Sequence, residues 1–280
     1  MAIILDGKKY AEEICESLRL ELQKISKKPK LAVILVGENP ASEIYVRNKQ
    51  KKAESIGIES ILISLPQDVT QEDILEHIYV LNNESDINAI LVQLPLPIGI
   101  NQEKIIEAIA PQKDCDGFTS YNLGRLTLGY KPYIEPCTPK GIIAIIDKYK
   151  IGLEGKNVVV IGRSNIVGKP LSLMLEHRNA TVTLAHSYTK DLHAISNKAD
   201  IVISAIGKPE FIDSNFIKEG AVIIDVGINR TNCGIVGDVK FNECFNKASY
   251  ITPVPGGIGP MTIAMLMENT LQLYKNQRSL

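Results

Sequence analysis

The chain has 280 residues, 45% hydrophobic and 22% charged, which is ordinary globular composition and long enough for two modest domains or one large one. A formal net charge of −1 gives no global attraction to nucleic acid or anionic membrane, and no apolar run approaches the roughly 20 residues that cross a bilayer. Five scattered cysteines without a C-x-x-C pair, and four histidines without ligand spacing, argue against a metal site or disulfide framework and fit a reducing cytoplasm.

In chain order, residues 7–26, 40–56, 70–82 and 101–109 read as helices, with buried strands at 31–36, 60–64 and 88–93. Strands alternating with helices predict βαβ units, hence a parallel sheet covered on both faces. Residues 111–139 hold Gly117, Gly124, Gly129, Pro132 and Pro136 and read as a domain junction or a functional loop. A second α/β series follows: helix 140–148, strand 157–161, helix 167–177, strands 181–185, 200–204 and 221–225, and a last helix from Pro260 to about Lys275. The expected division is into two domains joined near Cys137.

On the 40–56 helix, Ser42, Tyr45 and Lys49 are spaced by three and four and share one face. A lysine beside a tyrosine can act as an acid/base pair if its proton affinity is lowered. Arg47, Lys49, Lys51 and Lys52 also cluster here, and the segment alone fits a solvated charged face better.

After strand 157–161 the chain reads Gly162-Arg163-Ser164-Asn-Ile-Val-Gly168 and enters a helix. Glycines at such a turn let the backbone approach a pyrophosphate at the helix N-terminus, although Ser164 stands where the usual pattern has its middle glycine. The next strand ends Ala185-His186-Ser187-Tyr188-Thr189, with no carboxylate for a ribose 2′-hydroxyl until Asp191. Arg163 and Ser187 could instead meet a 2′-phosphate, so NADP is expected over NAD. Ser204-Ala-Ile-Gly207 and Asp225-Val-Gly227-Ile228 are strand ends expected to outline the same trough.

Tyr45-Val-x-x-Lys49, Val92-Gln93-Leu-Pro-Leu-Pro97, Lys113-Asp-Cys-Asp116-Gly-Phe118 and Pro253-Val-Pro-Gly-Gly-Ile-Gly-Pro-Met-Thr262 occur in that order, with Gly162-Arg-Ser164 between the last two. Together they resemble the bifunctional methylenetetrahydrofolate dehydrogenase/cyclohydrolase family along essentially the whole chain. Cys115, in place of a commoner valine, and Thr119-Ser120 are small departures. The resemblance implies an α/β fold with a folate-binding catalytic domain at 1–137 and a Rossmann-like NADP domain at 138–261. Residues 262–280 would pack back on the first, and one cleft between the domains would serve both steps. It implies Lys49 as the main cyclohydrolase residue, Gln93 tuning it, Tyr45 against the folate and Asp116 on the pterin. Gly162, Arg163, Ser164, Ser187 and Ile228 would hold NADP, and Pro255 and Gly256 would border the folate or the nicotinamide. A cytoplasmic homodimer acting on tetrahydrofolate one-carbon derivatives, with no metal, no nucleic acid and no membrane, completes the expectation.

The chemistry itself asks for such residues. Hydride leaves a carbon held between two nitrogens whose lone pairs stabilise the methenyl cation, so alignment matters more than a strong acid or base. Hydrolysis of that cation moves protons twice, which suits one amine that can give and take them. A lysine at its reference pKa of about 10.4 is a poor base, and burial or a neighbouring cation would lower it. Gln93 can orient Lys49 without locking it into a salt bridge. Asp116 suits the adjacent N–H donors of a pterin edge; Asp114 is its rival, or else a turn residue. Pro95 and Pro97 stiffen the strand end, and the sequence leaves open whether either is cis. Lys9, Lys51 and Lys52 are candidates for the folate glutamate tail. The competing readings are an unrelated two-domain NADP oxidoreductase and a non-catalytic nucleotide-binding relative.

Overall fold

The computed structural model describes residues 1–232 and 234–278, with residue 41 described by its backbone alone. Cys233 and the last two residues of the expected 262–280 helix lie outside the described residues. The first half carries β1 (Ile3–Ile4), α1 (Gly7–Leu22), β2 (Lys30–Val36), α2 (Pro40–Ile56), β3 (Glu59–Leu65), α3 (Gln71–Asn83), β4 (Ala89–Val92), α4 (Gln102–Glu107) and α5 (Ser120–Thr127). The second carries α6 (Cys137–Lys148), β5 (Asn157–Ile161), α7 (Gly168–Glu176), β6 (Thr181–Ala185), α8 (Leu192–Ser196), β7 (Ile201–Ser204) and β8 (Val222–Asp225). It closes with β9 (Asn229–Thr231), β10 (Gly234–Val236), α9 (Phe241–Phe245), β11 (Tyr250–Ile251) and α10 (Ile258–Arg278).

Two compact units result, one of Met1–Glu12 with Thr138–Thr262, the other of Glu13–Cys137 with the chain from Ile263 onward. The first twelve residues therefore depart from the expected 1–137 domain. The reason is long-range pairing: β1 adds in parallel to β11, at the edge of the second unit's sheet.

In the Glu13–Cys137 unit a parallel sheet runs β3-β2-β4. The central β2 is buried on both faces, as a continuous apolar run should be. Ala32, Ile34 and Val36 pack with Ile74, Ile78 and Leu81 of α3 and Ile105 of α4, while Leu31, Val33 and Leu35 are buried on the opposite side. The expectation of a buried strand at 60–64 fails. β3 is an edge strand, with Ile61 37% and Leu62 41% exposed. Residues 111–139 are also not all loop. α5 lies within them, and the carboxylate of Asp114 holds its entry by accepting from the backbone N–H groups of Gly117 and Thr119, at 2.9 and 2.8 Å, and from Asn122 Nδ2 at 3.0 Å.

The other unit carries a six-stranded sheet in the order β1-β11-β8-β7-β5-β6, every pair parallel. Val159, Ile161, Val202, Ile223 and Ile251 form its core. From β5 the chain goes out to β6 and then crosses to β7 on the other side, so the strand order reverses at β5. In the smaller sheet it reverses at β2. Ligands of open α/β sheets bind beyond the strand carboxyl ends at such reversals. Val36 and Val92 end β2 and β4 at one reversal; Ile161 and Ser204 end β5 and β7 at the other.

Candidate active site

The buried face of α2 is set by Ser42, Val46, Ala53 and Ile56, at helical spacing. Tyr45 and Lys49 flank it, both part-buried, whereas Arg47 and Lys51 are exposed. The solvated-face reading thus holds for two of the cations and not for Lys49. Lys49 Nζ donates to Gln93 Oε1 at 3.0 Å. Gln93 is itself held at the end of β4: its backbone N–H donates to the Ile34 carbonyl at 2.9 Å, and its Nε2 donates to the Leu94 carbonyl at 2.6 Å. With the amide nitrogen so engaged, the amide oxygen is the atom left to face the lysine. The Leu94–Pro95 peptide is cis, as is Val254–Pro255.

Asp116 joins this pair. Burial pushes its carboxyl up to about 6; the Lys49 charge opposes that shift, Asp114 adds to it, and a hydrogen bond from the Cys137 thiol opposes it. Asp114 is spent on the turn before α5, its carboxylate accepting from Gly117, Thr119 and Asn122. Lys113 is likewise structural. Its Nζ donates to the Leu81 and Glu84 carbonyls at the end of α3, and burial holds its pKa below the usual lysine value.

At the second reversal, Gly162 has φ +120°, and an added Cβ would overlap the Ala205 carbonyl. A Cβ on Gly168 would overlap the Gly162 carbonyl, so the turn folds tightly on itself. Ser164 Oγ accepts from the Val167 and Gly168 N–H groups at 3.1 and 3.4 Å, satisfying donors at the start of α7. Arg163 is exposed, its guanidinium 5.8 Å from the centroid of the Tyr188 ring. Ser187 is exposed in the turn after β6. There the Thr189 hydroxyl accepts from the His186 N–H at 2.8 Å, and His186 Nδ1 accepts from the Tyr188 N–H at 3.2 Å. His186 is therefore a turn residue. Ile228, 41% exposed, follows β8. Gly256 has φ +110° and its carbonyl accepts from the Lys8 N–H at 2.8 Å, while a Cβ on Gly7 would overlap Gly257. The 253–257 loop thus seats the start of α1.

Residues 5–116 match the model of the tetrahydrofolate dehydrogenase/cyclohydrolase catalytic domain, and residues 136–278 that of the family's NAD(P)-binding domain. This chain belongs to the tetrahydrofolate dehydrogenase/cyclohydrolase family. It is 54% identical to the bifunctional protein FolD of Thermodesulfovibrio yellowstonii, over 99% of this chain and 98% of that one. The crystal structure of the Campylobacter jejuni bifunctional enzyme FolD superposes with a TM-score of 0.96 at 47% identity, covering 99% of both chains. The Trypanosoma brucei enzyme, solved with NADP and an inhibitor, superposes at 0.95 with 37% identity, covering all of this chain and 99% of that one.

Within this dehydrogenase/cyclohydrolase fold, the structure brings Lys49, Gln93 and Asp116 together, with Tyr45 one turn from Lys49. It places Gly162, Arg163 and Ser164 on one turn and Ser187 on the turn beyond the adjacent strand. Sequence reasoning missed the buried aspartates that brace the NAD(P)-binding unit. Asp225 accepts from the Gly227, Asp238 and Val239 N–H groups, each at 2.9 Å. Asp238 accepts from Ser204 Oγ, Asn229 Nδ2 and the N–H groups of Ile206, Gly207 and Lys208. The signal was present as Asp225-Val-Gly227 and Gly237-Asp238. An added Cβ on Gly227 would overlap the Asp238 carboxyl, and one on Gly237 the Asp225 carboxyl.

Proposed function

We propose that this protein oxidises 5,10-methylenetetrahydrofolate to the 5,10-methenyl form with NADP, then hydrolyses that product to 10-formyltetrahydrofolate. The observation that carries the reading is a lysine amine hydrogen-bonded to a neutral amide, within electrostatic reach of a part-buried carboxyl. In this reading the Asp116 carboxylate accepts from the adjacent N–H groups of the pterin edge, and the Tyr45 ring lies against the folate. Lys49 gives and takes the protons of hydrolysis. Gln93 aims the amine without neutralising it, so the lone pair stays available whenever the proton leaves. A salt-bridging carboxylate in its place would hold the lysine protonated.

The residues at the β5 turn fit a dinucleotide phosphate. Two N–H groups already donate to Ser164 Oγ, so its own O–H is directed away from them and can donate to a phosphate oxygen. Arg163 and Ser187 are exposed and suit a 2′-phosphate, which favours NADP over NAD. Ile228 and the Pro255–Gly256 turn then lie beside the nicotinamide. NADP supplies the hydride acceptor; the protein supplies placement. A homodimer is part of the reading, supported by the outer edge of β3, with exposed Ile61 and Leu62 and a single strand neighbour. A cytoplasmic setting is supported by Cys15, Cys115, Cys137 and Cys244, buried and without disulfides. Among the described residues no helix is long and apolar enough to cross a membrane.

The test is purified protein with 5,10-methylenetetrahydrofolate and each nicotinamide cofactor. The methenyl chromophore should appear with NADP and then decay. Its absence with both cofactors rejects the dehydrogenase assignment.

A further inference from the structure

Asn269 of α10 has no exposed surface, yet it is an amide flanked in the fold by Leu266, Met267 and Thr270, all equally buried. A buried amide is costly unless its polar atoms find partners. Its Nδ2 lies 3.0 Å from the Cys115 carbonyl, 3.0 Å from the Glu135 carbonyl and 3.4 Å from Cys137 Sγ. Each acceptor leads toward Asp116. Cys115 is its chain neighbour, Glu135 and Cys137 straddle Pro136, and the Cys137 thiol donates to the Asp116 carboxylate. The thiol has one proton and a second nearby acceptor, the Cys115 carbonyl at 3.3 Å. Because Asn269 already donates to that carbonyl, the ionised carboxylate is the stronger claimant.

We propose that Asn269 and Cys137 are positioning residues for Asp116: the amide fixes the Cys115 and Glu135 carbonyls and steadies the Cys137 sulfur, whose S–H then holds the carboxylate for the pterin. This rests on the assignment of Asp116 to the folate. The groups acting on the Asp116 carboxyl are Lys49 from α2, Asp114 from its own loop and Cys137 from the start of α6. Lys49 and Cys137 favour its charged form; Asp114 opposes it. Loss of the thiol donor therefore raises the pH at which the carboxylate is lost, whereas a serine hydroxyl replaces the donor.

The experiment is the pH profile of kcat/KM for 5,10-methylenetetrahydrofolate in the wild type, Cys137→Ala, Cys137→Ser, Asn269→Leu and Asp116→Asn, with folate affinity measured alongside. Cys137→Ala should move the acid limb upward by about half a pH unit, the effect of losing one weak donor. Cys137→Ser should leave the limb at or below its wild-type position. Asn269→Leu should raise KM roughly tenfold with kcat changed far less, the split expected when a binding group is misplaced. If Asn269→Leu fails to fold, the two Cys137 variants still decide. A uniform fall in activity with an unmoved limb in Cys137→Ala, while Asp116→Asn weakens folate binding, overturns the positioning role alone. Undiminished folate affinity in Asp116→Asn overturns the assignment of Asp116 on which it rests.

Discussion

Asp116 in the catalytic unit and Asp225 in the nucleotide unit are both pushed by burial to about 6, yet they are wired differently. Asp225 accepts three backbone N–H groups from its own turn and from the segment after β10, and Asp238 beside it accepts five donors. Those lone pairs are committed to the fold. Asp116 answers instead to a lysine and a thiol, groups that can yield to a ligand. A perturbed carboxyl points to function only when its acceptor capacity is not already consumed. The two sheet reversals follow the same division. At β2 and β4 the catalytic unit presents ionisable side chains; at β5 and β7 the nucleotide unit presents a turn shaped by glycines and a hydroxyl.

The largest expected effect falls on the catalytic side. Lys49→Met should lower methenyl hydrolysis by about 10²–10⁴-fold, the usual weight of a general acid–base group, while folate binding persists. Normal hydrolysis in that variant would remove the lysine from the mechanism. Asp225→Asn should instead cost about 3 kcal/mol of stability, because an amide N–H₂ would face N–H donors in a buried site. Urea melts check this, and turnover per folded molecule should survive. A stable Asp225→Asn protein that is dead in turnover would make Asp225 a functional carboxyl like Asp116.

Arg163→Ala should weaken NADP by about tenfold or more and leave NAD nearly unchanged, since only the 2′-phosphate loses a charged partner. Equal losses for both cofactors would move Arg163 off the 2′-phosphate. Acid should act through Asp116. Below about 6 its carboxyl holds a proton and no longer offers a pure acceptor, so kcat/KM should fall toward low pH with that limb. Gln93→Met should cost hydrolysis roughly tenfold by loosening Lys49, read as slower decay of the methenyl chromophore. The smallest effect is expected from Ser164→Ala, about 1 kcal/mol from the lost hydrogen bonds of the Val167 and Gly168 N–H groups to its hydroxyl, read by thermal melting.

Much of the parallel architecture was legible. The sequence pattern marks strands 157–161 and 181–185 to the residue, because strands in a covered parallel sheet are short β-branched runs bounded by turns. Edge and centre were not. β3 carries Glu59, Ser60 and Ser64 where β2 carries only Lys30, yet both hold aliphatic runs, and the strand order β3-β2-β4 leaves Ile61 and Leu62 exposed. α5 was hidden among glycines and prolines because its entry is held by Asp114, six residues before its first turn. The antiparallel pair of β9 and β10 and the pairing of β1 with β11 leave no sequence signal for a related reason: two or three residues carry no period of their own.

The sequence by itself determined the alternating α/β class, the helical face of Tyr45 and Lys49, the glycine turn after β5 and the family, because these depend on spacing and order along the chain. Only the tertiary structure decided which charges matter. It turned Lys49 toward Gln93 and left Arg47 in solvent, gave Asp114 to a turn and Asp116 to the lysine, and assigned the first twelve residues to the distant sheet. Those choices rest on desolvation and on hydrogen bonds between residues far apart in the chain, which local pattern does not encode.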